Sequence, residues 1–289
     1  QFIKFILITF VILCFCLILF NFIQKKSPNF IQSPIESNPT TNKCKVGYKN
    51  EGDKCVIDYA IKATYFTKQD NEQINLMAFV PDFPIQMIID NELVESTKSF
   101  IFPKKGEHKV LIKSNFTKLT STKRWFYKIS NLLNLEFTPL FESKNVKDMK
   151  AIFYECSELT SIDLSNFDTT NVINMELMFA GCRRLKKIDL SNFNTKKVTS
   201  MANMFEDCKQ LSILDLSNFD TKEVKEMGFM FFGCSSLTSL DISKFNTEKV
   251  TTMEYMFKGC TSLTSIDVSN FNTENVISLS RMFEKCTSL

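Results

Sequence analysis

Imidazole is almost missing from this chain, which has a single histidine, His108, in 289 residues. That scarcity excludes most nucleophile-plus-imidazole catalysis and most histidine-bearing zinc sites from the bulk of the sequence. A surplus of charge of one sign is lacking too. With 35 basic and 32 acidic side chains the net charge is +3, so no basic field of the size that a nucleic-acid partner requires is present, and none is expected to bind. His108 itself follows Gly106 and Glu107 at the start of a strand-like run. A lone histidine beside a turn is expected at the surface, and no function attaches to it. No nucleophile, base and oxyanion site occur together, so no enzyme, no catalytic residue, no cofactor and no metal site is expected.

What is present divides into segments, and the length suggests two folded units with accessory pieces. The chain opens on Gln1 and stops at Leu289 inside a repeat, which suggests a fragment at both ends. Phe5 to Ile23 (FILITFVILCFCLILFNFI) is an uncharged run of nineteen residues between Lys4 and Lys25-Lys26. At helical rise it is long enough to span a bilayer, so residues 1–24 are expected to be a signal-anchor, or else a signal peptide. The missing small-residue cleavage site favours the anchor.

Residues 25–56, with Pro28, Pro34 and Pro39, read as a linker. Within it Cys44 and Cys55 bracket a polar, Gly-containing loop, a pattern best explained by a disulfide in an oxidising compartment. The sequon Asn115-Phe116-Thr117 points the same way, with Asn115 as the glycosylation acceptor. Lys25 and Lys26 pull against this, toward a cytoplasmic C-terminal side. On balance the bulk is expected outside the membrane, surface-anchored or secreted.

Residues 57–121 alternate with period two in IDYAIKATYF, INLMAF, IQMIID, KSFIF and HKVLIK. Five short runs separated by turn-prone DNE, PDF and PKKGE predict a small antiparallel β-sandwich-like domain.

From Val146 the sequence repeats every 26 residues, with copies beginning at Val146, Val172, Val198, Val224, Val250 and Val276. Each copy follows V-x-x-M-x-x-M-F-x-x-C-x-x-L-x-x-I-D-L-S-N-F-D-T, and Cys156, Cys182, Cys208, Cys234, Cys260 and Cys286 hold the register without an insertion. In-register stacking follows, because one copy cannot bury its own apolar positions. Ile162 and Leu164 alternate about Asp163 and predict an inward-facing strand with Asp163 and Ser165 outside. Val172, Met175, Met178 and Phe179, three or four apart, predict a short helix or 3₁₀ return. Asp168-Thr169 is expected to supply oxygens for the intervening turn and helix cap. The fold class expected is thus an α/β solenoid of residues 146–289, with a parallel sheet on its concave face and short helical returns. Residues 122–145 precede it as a degenerate capping repeat that keeps Leu133 and Phe141 in phase. The cysteine column is expected to be buried free thiols, since stacked parallel side chains do not give disulfide torsions readily.

MFAGCRRLKKIDLSNFNTKKVTSM and its sister copies resemble the repeats of the BspA-like leucine-rich-repeat surface proteins, in particular their mycoplasma-lipoprotein-type variant. The segment containing KGEHKV is similar, more loosely, to a domain that often precedes such repeats. The resemblance implies cell-surface display and adhesion to host matrix or cells, and it brings no catalytic residues. The chain departs from bacterial members in lacking small residues before Cys14 or Cys16 that would mark a lipid-bearing cysteine.

Asp163, Asp189, Asp215, Asp241 and Asp267 recur at one position and are expected to form an outward column on the concave face, about 4.7–4.9 Å apart. Such a column either meets a cationic ligand or a divalent ion, or accepts local hydrogen bonds from neighbours such as Ser165. Specificity is expected in the variable positions, where Arg183, Arg184, Lys186 and Lys187 of one copy stand against Ser, Thr, Gln or Glu in others. The function expected is recognition of an extracellular protein or glycan through the repeat face. The alternative is an intracellular, membrane-tethered scaffold for protein assembly.

Overall fold

The structure, a computed structural model, describes residues 48–51, 54–57, 59–78 and 84–289, all within one compact unit, Cys44–Leu289. The apolar run 5–23 and Cys44 lie outside the described residues, so the expected membrane span and the Cys44–Cys55 bridge do too. Among the described residues no helix is long and apolar enough to cross a membrane.

β1 (Tyr48–Glu51) and β2 (Lys54–Ile57) form an antiparallel hairpin with Tyr48 opposite Ile57. The main sheet has six strands in the order β10-β9-β3-β8-β5-β6. Its members are β3 (Ile61–Thr67), β5 (Ile85–Ile89), β6 (Glu92–Glu95), β8 (Gly106–Ser114), β9 (Leu132–Phe137) and β10 (Ser161–Asp163). A separate pair joins β4 (Glu72–Asn75) to β7 (Ser99–Phe102). Period-two burial explains the strands: Ile61, Ala63 and Tyr65 of β3 and Val110 and Ile112 of β8 point into the core, at about 1.5–3 kcal/mol for each large side chain. Asp90 and Asn91, with φ of 48° and 77°, make the two-residue mirror-image turn that matches strand twist between β5 and β6. The Tyr65 hydroxyl is buried and donates to Leu76 O at 2.6 Å.

The sheet does not stop at residue 121. β9 pairs antiparallel with β3, then parallel with β10, so the sheet is mixed and runs into the first copy of the array.

Beyond it the copies pile on one another through a chain of single parallel bridges, Ser121–Asp148–Asn174–Ser200–Glu226–Thr252–Ser278. The first step spans 27 residues and the rest 26. Leu132, buried, therefore occupies the place of Leu159, and Leu133, which a constant spacing would select, is only half-buried. Phe141 is in phase as expected, its ring 5.1 Å from that of Phe167. Phe126, Phe153, Phe179, Phe205, Phe231, Phe257 and Phe283 stack ring on ring at 5.4–6.0 Å, flanked by buried Val, Met and Leu columns.

The expected α/β solenoid is overturned. No helix occurs among the described residues, and the strand expected in every copy survives only as three-residue β10, with one isolated bridge, Lys187–Ile213, further on. The reason lies in where the amides go. Met149, Ala151, Phe153 and Glu155 donate to Asn174, Glu176, Met178 and Ala180 of the next copy. Ile152 and Tyr154 between them donate three residues back, to Met149 and Ala151. Ala151 and Glu155 sit at φ of 55° and 53°, a left-handed conformation that interrupts any helix. Consecutive turns with left-handed joints reproduce the apolar spacing of three without a helical return. The joints recur at Leu177, Asn203, Phe229, Tyr255 and Arg281, so the pattern belongs to the repeat and not to one copy.

Candidate functional site

The SNF-D/N-T core of each copy holds the stack together. Thr169 Oγ1 donates to Asn194 O at 3.1 Å and accepts from Asn194 N–H at 2.7 Å, and Thr195, Thr221 and Thr247 repeat the pair with the next copy. All four threonines are buried, so these reciprocal bonds replace water that the site excludes. Asn192 Nδ2 donates to Leu164 O and Phe167 O of the preceding copy at 2.9 and 3.1 Å, and Asn218 and Asn270 do the same in their own copies. Asp168 caps a turn by accepting from Thr170 N–H at 2.9 Å, but no helix follows it. Sequence reasoning missed the asparagine and threonine roles. Their signal was a polar residue repeated between apolar neighbours with no chemistry attached.

The thiols of Cys156, Cys182, Cys208, Cys234, Cys260 and Cys286 are free, the first five buried, and each donates to a phenylalanine carbonyl of the preceding copy at 3.0–3.2 Å. Burial pushes their pKa values up, that of Cys260 to about 12. They are small packing groups in the protonated form.

The aspartate column is exposed in every copy. β9 and β10 place Asp163 beside Glu136, and β3 places Lys62 beside Glu136, with the Lys62 Nζ–Glu136 Oε2 pair at 2.9 Å. The row thus begins with an ion pair on the sheet and continues as one carboxylate per copy. Asp163, Asp189, Asp215, Asp241 and Asp267 each accept from the backbone N–H two residues on, at 2.9 Å from Ser165, Ser191, Ser217, Ser243 and Ser269. At Asp189 and Asp215 that N–H, then the serine hydroxyl, holds the carboxyl below its ordinary value. At Asp241 and Asp267 the hydroxyl contributes more than the N–H, with the same result. Only Asp163 lies in a strand, so the other four stand just before a turn and are not members of a concave sheet. Among the described residues no three His, Cys, Asp or Glu side chains converge on a metal-sized site.

Among the depressions of the described residues, two lie where the sheet meets the array and a third lies between copies of the array. One of about 350 Å³ is lined by Lys62, Thr64, Asn134, Glu136, Ser161 and Asp163. A larger one of about 550 Å³ lies among Phe66, Lys68, Glu107, Asn131, Glu158 and Arg184. The third, about 380 Å³, is bounded by Thr160, Arg184, Lys186 and Gln210. Asn115 is exposed, and its Oδ1 accepts from the Thr117 hydroxyl at 2.7 Å.

His108 does not sit at the surface. It is 6% exposed, stacked on Phe102 at 4.0 Å, with Nδ1 2.6 Å from Asp90 Oδ2 and Nε2 2.8 Å from Lys104 O. Lys104 lies in the β7–β8 connection and Asp90 in the β5–β6 turn, so the histidine ties these two segments together.

No curated protein and no solved structure matches this chain. Residues 120–235 and 208–289 match the family described as "Mycoplasma protein of unknown function, DUF285". The two matches together cover the stacked copies and more than half of the sequence, and the chain therefore belongs to this mycoplasma family.

Proposed function

We propose that this chain is a cell-surface binding protein that presents its repeat copies to a protein or glycan partner outside the membrane. One observation carries the reading: what varies between copies reaches the surface, and what is buried is nearly constant. Val, Met, Phe, Cys, Leu and Thr recur at their buried places, whereas the two residues after each cysteine, half-buried or exposed, change from Ser157-Glu158 to Arg183-Arg184 to Lys209-Gln210 to Ser235-Ser236. A stack that fixes its interior and alters one surface is suited to recognition by scattered side chains. The likeness of IDLSNF-D/N-T repeats to BspA-like surface proteins supports the same role, as does the apolar run 5–23 as an anchor. Exposed Asn115 is the glycosylation acceptor in this reading.

Sidedness is the test. Intact cells expressing the chain with an epitope after Leu289 are treated with an impermeant protease. Loss of the epitope is expected. Its protection until the membrane is permeabilised would overturn the surface role in favour of a scaffold on the cytoplasmic side.

A further inference from the structure

We infer that Arg183, Arg184, Lys186, Lys187 and Lys209 form a binding patch for a sulfated glycan. The inference rests on the surface reading above only in taking its ligand from outside the cell. All five residues are exposed, and they come from two adjacent copies joined by the Lys187–Ile213 bridge. Arg184 and Lys186 line the depression of about 380 Å³, with Thr160 and Gln210 as uncharged polar walls. Ser212 N–H, from the next copy, donates to Lys186 O at 3.1 Å, so the backbone under the patch is pinned.

The fold does not require these charges. At the same positions other copies carry Ser157, Ser235, Ser236, Thr160, Thr238, Ser161 and Ser239 and stack in the same register. Five cations side by side repel one another, and the neighbouring acids offset them only in part. Glu158 pairs with Arg184 at 2.7 Å and Asp207 approaches Lys209 at 3.9 Å. A multivalent anion relieves the remainder, and the guanidinium fork suits the oxygens of a sulfate ester.

The surroundings select the kind of anion. The patch is confined to two copies and bordered by Asp163, Asp189 and Asp215, which would repel the long phosphate track of a nucleic acid. Away from it, the face continues in hydroxyls, Ser235, Ser236, Thr238, Ser239, Thr261 and Thr264, which suit the neutral hydroxyls of a sugar chain. A short sulfated stretch seated on the cations, with neutral sugars running over the serine and threonine columns, fits both halves.

The experiment measures binding of the purified full chain to a heparin oligosaccharide, to the same oligosaccharide desulfated, to an acidic peptide and to a DNA duplex. The variant Arg183→Ser, Arg184→Ser, Lys186→Thr, Lys187→Ser introduces only residues that other copies already carry there. A second variant, with Ser at Lys118, Lys144, Lys196 and Lys222, removes the same charge outside the patch. Expected is salt-sensitive binding of the sulfated oligosaccharide alone, weakened roughly tenfold or more by the first variant and little changed by the second. Equal weakening by both variants, no binding of the sulfated sugar, or tighter binding of peptide or duplex would each overturn the assignment. Because the purified chain is used, failure here with protease-sensitive display on cells removes the glycan and leaves the surface role standing.

Discussion

The strands of residues 61–114 and the stack of residues 120–289, into which the sheet continues, satisfy their backbones by opposite means. In the sheet, each strand finds a different partner, and polar side chains are used singly, as in the Tyr65 hydroxyl on Leu76 O or His108 between Asp90 and Lys104. In the stack, each residue makes the same contact with an adjacent copy as its equivalents do, so a single solution is copied along the chain: Phe on Phe, Cys on a Phe carbonyl, Thr on the next backbone. A sheet residue is thus irreplaceable in its own way, whereas a stack residue fails by separating the copies on either side of it.

The largest effect should come from Phe205→Ala. Phe205 is fully buried with rings of Phe179 and Phe231 at 5.8 and 5.9 Å, and truncation costs about 3–5 kcal/mol. If copies interact only with neighbours, hydrogen exchange will show protection lost around Met201–Cys234 while β3 and β8 keep theirs. Uniform loss through both regions would show one cooperative unit and break the contrast.

Next come two single-group deletions, one in each region. Thr195→Val keeps the shape but removes the donor to Asp220 O and the acceptor of Asp220 N–H, and about 1–3 kcal/mol should be lost on chemical denaturation. His108→Phe retains a ring to stack on Phe102 yet strips the contacts to Asp90 and Lys104 O, with a loss in the same range of about 1–3 kcal/mol. The two should differ in reach. Thr195→Val should loosen the copies on both sides, and His108→Phe only the β5–β6 and β7–β8 turns. Amide exchange in which the histidine variant opens the array as well would erase the distinction.

The register of the stack was legible because cysteine and phenylalanine recur at a fixed interval and must be covered by their neighbours. The backbone conformation was not. An apolar spacing of three or four serves a helix and a series of turns alike, and the first left-handed joint falls on Ala151, Leu177, Asn203, Phe229, Tyr255 and Arg281, which share no chemical type. The second joint carried a readable sign: Gly181, Gly233 and Gly259 stand just before the cysteine in three copies, where glycine argues against a helix interior. The alternating runs IKATYF, IQMII and HKVLIK did announce β3, β5 and β8, since one buried face leaves a period of two. That β9 would carry the sheet onward into the array was hidden, because WFYKISNLLNLEF reads as one more imperfect copy. Of the site, the aspartate positions and their local serine partners such as Ser165 were visible, but not that the backbone N–H of the serine is a donor in every copy, which depends on the turn that follows.

Those amides give the smallest and most specific prediction. In Asp189, Asp215, Asp241 and Asp267 the native carboxyl has a pKa below its ordinary value, so the unfolded chain binds protons more readily than the folded one. The resulting stability is present above the unfolded pKa of about 4 and is lost as pH falls through the lowered native value. Acid should therefore loosen the stack more than it loosens β3 and β8, in a small step for each copy from that of Asp189 to that of Asp267. Ser217→Ala removes the hydroxyl but leaves the N–H that is the larger influence on Asp215, so a titration followed by carboxyl NMR shifts should show Asp215 moving part of the way back toward its ordinary value. Asp241, where the hydroxyl contributes most, should move further when Ser243 is changed to Ala. Equal shifts at the two sites, or none, would mean that the carboxylates are held by something other than the turn that each copy repeats.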